Sequence, residues 1–132
     1  MDNQACPCGR GPAFEACCEP FLAGSALPKT AEDLMRSRYT AFARQRISYL
    51  KDTLWPKHQS SFDELATSRW ASENHWAALT VLEVHAGGEA DREGTVLFEA
   101  KYLSGGKLVT HRERSRFRKK SGRWFYVEAI AD

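Results

Sequence analysis

The sequence predicts an α+β fold: helices first, a curved antiparallel sheet second, and a small cysteine-built appendage ahead of both. Three observations carry that expectation. All four cysteines fall at positions 6, 8, 17 and 18 of 132 residues. Residues 30–52 repeat their apolar positions with helical period. From Trp76 onward, alternating runs are separated by Gly-Gly, Ser-Gly-Gly and Ser-Gly. Strands joined by such short turns meander antiparallel, and helices kept apart from them make the class α+β.

The length suits one domain with a small appendage. Hydrophobic residues at 42% and charged residues at 27% exclude a disordered tail and a fibre. No apolar run approaches the ~20 residues of a spanning helix. Met1-Asp2-Asn3-Gln4 lacks the basic and apolar stretches of a secretory leader, so a cytoplasmic location is the expectation. A net charge of +2 is too small to imply a nucleic-acid partner, and any such case rests on local clusters.

The cysteine segment, residues 1–20, reads C-x-C, eight residues, then C-C. In a reducing compartment, Cys6, Cys8, Cys17 and Cys18 make a tetrahedral zinc site; two disulfides or free thiols are the alternatives. Pro7 stiffens the knuckle, while Gly9 and Gly11 permit the positive φ that turns amides toward sulfur. Residues 12–18 are expected to form one helical turn. Four protein ligands leave no vacancy for water, so the metal is structural. So short a segment has no core of its own, and metal binding folds it. The run Cys6-Pro7-Cys8-Gly9-Arg10-Gly11 with Cys17-Cys18 resembles the SEC-C motif, known from the tail of the SecA translocation ATPase, where it binds zinc and contacts partners. Arg10 stands where that motif usually has Ser. Cys18 fits its last ligand, and all four ligand positions are kept.

Residues 21–29 read as a Pro/Gly/Ser-rich linker. Thr30 then caps a long helix, with Asp33 as its capping-box partner, running to about Asp52 before Pro56 stops it. Leu34, Met35, Phe42 and Tyr49 share one face of that helix, with Arg38 in its middle and Arg36 and Arg44 outside it. A shorter helix is expected from Ser61 to about Ala71, with Glu64 completing a second capping box. Strands are expected at 76–86, 94–103, 107–119 and 123–130. No second cysteine cluster occurs in the 132 residues.

Leu34-Met35-Arg36-Ser37-Arg38-Tyr39-x-Ala41-Phe42, Glu113-Arg114-Ser115-Arg116-Phe117 and Gly122-x-Trp124-x-Tyr126 resemble the signature of the YchJ-like proteins, small bacterial proteins of uncharacterised function. The resemblance spans Cys6 to about Val127. It implies a SEC-C knuckle followed, over residues 30–132, by a nuclear transport factor 2-like (cystatin-like) domain. That fold is a cone, in which a curved sheet wraps a long helix. It hosts isomerases, dehydratases, binding subunits and dimerisation modules alike, so fold alone assigns no chemistry.

Strand alternation is more specific. Val109, His111, Glu113, Ser115 and Phe117 share one face of the third strand, and the apolar pair marks it as inward. Trp124, Tyr126, Glu128 and Ile130 share a face of the fourth. Arg38, arriving from the helix, is expected to pair with Glu113 or else Glu128, because an unpaired buried charge is costly. One reading is a structural ion pair with a hydrogen-bonded inner histidine. The other is a pocket, with His111 and Glu113 as acid and base and Arg38 holding an anion or enolate. A cavity of at least ~300 Å³ touching Arg38, His111 and Glu113 favours the pocket. A cone filled by Trp70, Trp76 and Trp124 removes it.

Arg112, Arg114, Arg116 and Arg118 line the opposite face of the third strand. They read either as a binding surface for RNA or an acidic protein, or as a solvated face paired with carboxylates such as Glu99. No nucleophile–base motif or phosphate loop is present. The expected role is therefore interaction or adaptor, contacting protein or ribosome through the zinc knuckle or the basic face. Homodimerisation through the outer sheet face is open. A small-molecule lyase, isomerase or binding protein using the inner cone is the alternative.

Overall fold

The computed structural model describes residues 5–130. Met1–Gln4, where no leader was read, lie outside the described residues, as do 131–132. Four helices precede four strands: α1 Glu19–Leu22, α2 Ala31–Ala43, α3 Ile47–Asp52, α4 Glu64–Glu73, then β1 His75–Ala86, β2 Glu93–Ser104, β3 Lys107–Lys120 and β4 Arg123–Ile130. The strands agree with the sequence expectation to within one residue at each end.

The first helical segments differ from expectation. Glu19–Leu22 is helical, so the expected linker is ordered structure at its start. Its far end is held where Trp124 Nε1 donates to Lys29 O at 3.0 Å. Thr30 caps α2, accepting from Asp33 N at 3.0 Å. The reciprocal half of the capping box is absent, because the Asp33 carboxylate takes Arg10 at 2.7 Å instead. The single helix expected to reach Asp52 is two helices. Gln45 sits at φ 57, in the left-handed region, and Arg44 and Arg46 N–H close onto Thr40 O and Ala41 O at 2.8 Å each. The break folds α3 back so that Tyr49 OH meets Ser37 Oγ at 2.7 Å. The α4 cap is Asp63, accepting from Ala66 N at 2.9 Å, rather than Ser61. Ser61 closes a 3-10 helix over Pro56–Ser61 and bonds back to His58 O.

The sheet is an antiparallel meander in the order β1-β2-β3-β4. Two-residue turns at Gly105-Gly106 and Ser121-Gly122 take positive φ at both positions, as the right-handed twist of hairpins favours. The β1–β2 turn abuts the start of α2, where Ala31 N donates to Gly87 O at 2.9 Å. A side chain on Gly87 would strike Ala31, and one on Gly94 would strike Gly87. Leu34, Met35 and Tyr39 of α2 pack on Leu79, Val96, Phe98, Phe117 and Trp124 of the sheet. Each such side chain contributes roughly 2 kcal/mol through burial. The segment 53–55 covers the free edge of β4, with Trp55 N to Tyr126 O and Tyr126 N to Thr53 O both at 2.8 Å. Among the described residues no helix is long and apolar enough to cross a membrane.

Candidate functional site

The knuckle is built by local backbone bonds. Cys6 N donates to Pro12 O at 2.9 Å and Gly9 N to Cys6 O at 3.2 Å. Gly9 takes φ 80, and a Cβ there would press on Leu79 O, so glycine is needed both for conformation and for close approach to β1. The expected turn is a 3-10 turn at Phe14–Ala16, and it delivers Cys17 and Cys18. The four Sγ atoms lie within 4.8 Å of one another, with Cys8 and Cys17 3.5 Å apart. Sulfurs about 2.3 Å from one tetrahedral ion are about 3.8 Å apart, so the set fits a single metal ion. All four cysteines are free of disulfides. Cys8 is drawn down to about 5, chiefly by its bond with Cys18. Cys17 is pushed up to about 12 by burial and then by Cys8, and Cys18 is pushed up by its bond to Cys8. One thiolate opposes the next, which is the crowding a divalent cation relieves.

One stripe of α2, at i,i+4 spacing, receives this knuckle. Glu32 takes Arg10 at 3.4 Å and Arg36 at 2.9 Å. Arg36 Nη1 donates to Cys8 O at 2.7 Å. Thr40 Oγ1 lies 3.4 Å from Cys18 Sγ and 3.6 Å from Cys6 Sγ, and the Arg44 guanidinium sits 4.0 Å over the Phe14 ring. Cys6, Cys8 and Cys18 are at most 3% exposed and belong to the apolar cluster that includes Leu34 and Met35. The knuckle is therefore part of the core. The sequence reading placed Arg36 and Arg44 outside the apolar face and missed Thr40. The Glu32-Arg36-Thr40-Arg44 periodicity was the available signal.

The neighbouring stripe of α2, Met35, Arg38, Tyr39 and Phe42, lines a cavity of about 240 Å³ shared with Trp70, Trp76, Phe98, Ala100, Phe117 and Tyr126. His111, Glu113 and Ser115 line it too. It is smaller than the size set above but touches all three expected residues. Trp70 and Trp76 form its wall rather than a plug. Trp124 lies elsewhere, beside a depression of about 290 Å³ near 21–28 that none of the expected residues touches.

The expected Arg38–Glu113 ion pair is absent, and Tyr126 stands in its place. Arg38 lies 4.7 Å over the Tyr126 ring, and the Tyr126 hydroxyl donates to Glu113 Oε2 at 3.0 Å. Arg38 Nη1 donates to Leu50 O at 2.8 Å and to Thr53 Oγ1 at 2.7 Å, partners that exist only because α3 folds back. Burial lowers Arg38 to about 10, so it remains a cation at neutral pH. Glu113 also accepts Ser115 Oγ at 2.6 Å and His111 Nε2 at 3.0 Å. Burial raises its pKa, but the bonds from Ser115, His111 and Tyr126 outweigh it and hold Glu113 below the ordinary carboxylate value. Glu128 does not join the group. A bulge beside Phe117 shifts the β3–β4 register, so Glu128 faces outward onto Arg116 at 2.8 Å.

The outward arginines are matched across strands. Arg112 meets Glu99 at 3.5 Å, Arg114 meets Glu83 at 3.4 Å, Arg116 meets Glu128 and Glu93, and Arg118 meets Glu93 at 3.7 Å. This is the paired, solvated arrangement weighed against a nucleic-acid surface.

A four-cysteine knuckle buried against a cone-shaped α+β domain defines the class: SEC-C motif proteins carrying a nuclear transport factor 2-like domain. Residues 30–129 match the family model described as "YchJ, middle NTF2-like domain". The chain belongs to the YchJ (UPF0225) family. It is 46% identical over 123 residues to a UPF0225 protein of Geobacter sulfurreducens, covering 93% of this chain and 76% of that one. It is 37% identical over 126 residues to the UPF0225 protein YchJ of Shigella dysenteriae serotype 1, covering 96% and 82%. The solution structure of a SEC-C motif containing protein from Rhodopseudomonas palustris superposes with a TM-score of 0.88 at 38% identity, over 96% of this chain and 98% of that one. The crystal structure of another from Psychrobacter arcticus gives 0.84 at 28% identity, over 98% and 84%.

Proposed function

We propose that the protein binds a small molecule in its cone and uses one structural zinc ion to hold the knuckle that completes the domain. Four thiolates are a soft donor set suited to zinc, and their mutual approach leaves no coordination position for a substrate. The observation that carries the binding reading is the cavity itself. An apolar, aromatic-walled space ends in converging polar groups, the usual make-up of a ligand site.

Acid–base chemistry has less support. Glu113 accepts three hydrogen bonds and is held as a carboxylate, which makes it a weak base. The adaptor role also has less support, since the sulfurs are buried and the strand arginines are paired.

The test is an amide NMR titration of the zinc-loaded protein with indole, a neutral probe of suitable size. Shifts are expected to cluster at Phe98, Ala100 and Ser115 and to vanish in Ala100→Leu, which fills the cavity. Shifts scattered over the surface, or unchanged in the variant, overturn the reading. Native mass spectrometry of protein taken from cells adds a second check: one zinc and a small-molecule adduct are expected, and a stoichiometric protein or RNA partner instead returns the adaptor role.

A further inference from the structure

Arg38 is anchored on one side only. Its Nη1 is committed to Leu50 O and Thr53 Oγ1, and its plane is held against Tyr126. Among the described residues, Nε and Nη2 have no hydrogen-bond partner, and Arg38 lines the cavity. The Nε–Nη2 edge carries two parallel N–H donors, the geometry that grips a carboxylate with both oxygens. A second donor on the same cavity is also unmatched: Trp76 Nε1 is buried without a partner. A buried donor without an acceptor costs about 1–3 kcal/mol, so both positions favour an occupant that accepts hydrogen bonds.

The rest of the cavity restricts that occupant. Tyr39, Phe42, Trp76, Phe98 and Phe117 offer ring surfaces, which suit a flat apolar body. The volume of about 240 Å³ equals the share of roughly eight water molecules in the liquid, so the body is about one ring in size. The Glu113 carboxylate on the same wall opposes a second negative charge, which disfavours phosphate dianions.

We infer that the cavity takes a small, flat monocarboxylic acid, its carboxylate held on the Nε–Nη2 edge of Arg38, its ring between the aromatic walls and an acceptor of the ring on Trp76 Nε1. This rests on the pocket reading above. Benzoate is expected to bind the zinc-loaded protein at least tenfold more tightly than benzamide, and phenyl phosphate no more tightly than benzamide. Arg38→Lys keeps the charge but not the fork, and should cut the benzoate preference below threefold while zinc content and circular dichroism stay those of the wild type. One of the three pyridine monocarboxylates should outbind benzoate, and Trp76→Phe should remove that advantage.

Equal binding of benzoate and benzamide, tighter binding of phenyl phosphate, or a tenfold preference surviving in Arg38→Lys refutes the acid assignment. No advantage for any pyridine isomer refutes the Trp76 contact. If indole and benzamide bind in the cavity but benzoate gains nothing, only this inference falls; if no probe binds there, the pocket reading falls with it.

Discussion

One helix carries two faces with opposite fates. The Glu32-Arg36-Thr40-Arg44 stripe meets the cysteine knuckle, and each of these side chains finds a partner there. The Met35-Arg38-Tyr39-Phe42 stripe meets the cavity, where Arg38 and Trp76 keep donors without partners. A saturated polar cluster buried in a core holds structure together. An unsaturated one beside an empty volume is a place prepared for something else.

The comparison can be broken most severely at the saturated end. Cys18→Ser, or a strong chelator on the wild type, is expected to cost at least about 3 kcal/mol, roughly 10 °C in Tm, because the knuckle lies within the core. Calorimetry with and without added zinc checks this, and an unchanged transition would show that the sulfurs carry no metal.

At the open end, Arg38→Met should cost only about 1–2 kcal/mol, since it orphans Leu50 O but leaves no carboxylate behind. Breaking a buried ion pair costs about 3–5 kcal/mol, so a loss of that size in urea unfolding would mean that Glu113 is Arg38's true partner after all.

A matched pair sharpens the contrast. Thr40→Val removes a hydroxyl in use between Cys6 and Cys18 and should cost about 1 kcal/mol. Trp76→Phe removes an N–H with no partner and should change stability by less than about 0.5 kcal/mol. Equal losses would erase the distinction between the two faces.

Glu113 supplies a pH-dependent test. Its folded pKa lies below the ordinary value, so its contribution is complete above the unfolded carboxylate pKa and is lost as pH falls through the folded one. Glu113→Gln should therefore flatten the acid limb of the stability profile, below about pH 4.5, relative to wild type. Parallel profiles would show that the three hydrogen bonds do not favour the charged form. The smallest effect is expected on the outer sheet, where Arg116→Ala should cost less than about 1 kcal/mol because its ion pairs with Glu128 and Glu93 face solvent. A larger loss would mean that this face is buried by a partner.

The sequence by itself determined what depends on local chemistry. Cysteine spacing marked the knuckle, because ligands a few residues apart converge through backbone geometry alone. Alternation and Gly-bearing turns marked four strands and the inward placement of His111, Glu113 and Ser115, because strand periodicity is strict between bulges. The tertiary structure decided what depends on register and on chain reversal. The bulge beside Phe117 turned Glu128 outward, and no residue type announces such a bulge. The left-handed turn at Gln45 split the expected helix and supplied Leu50 O and Thr53 to Arg38, leaving Tyr126 rather than an ion pair between Arg38 and Glu113. Whether a charged side chain keeps a free edge depends on every neighbour that folding brings to it, and those neighbours lie 12 to 88 residues away along the chain.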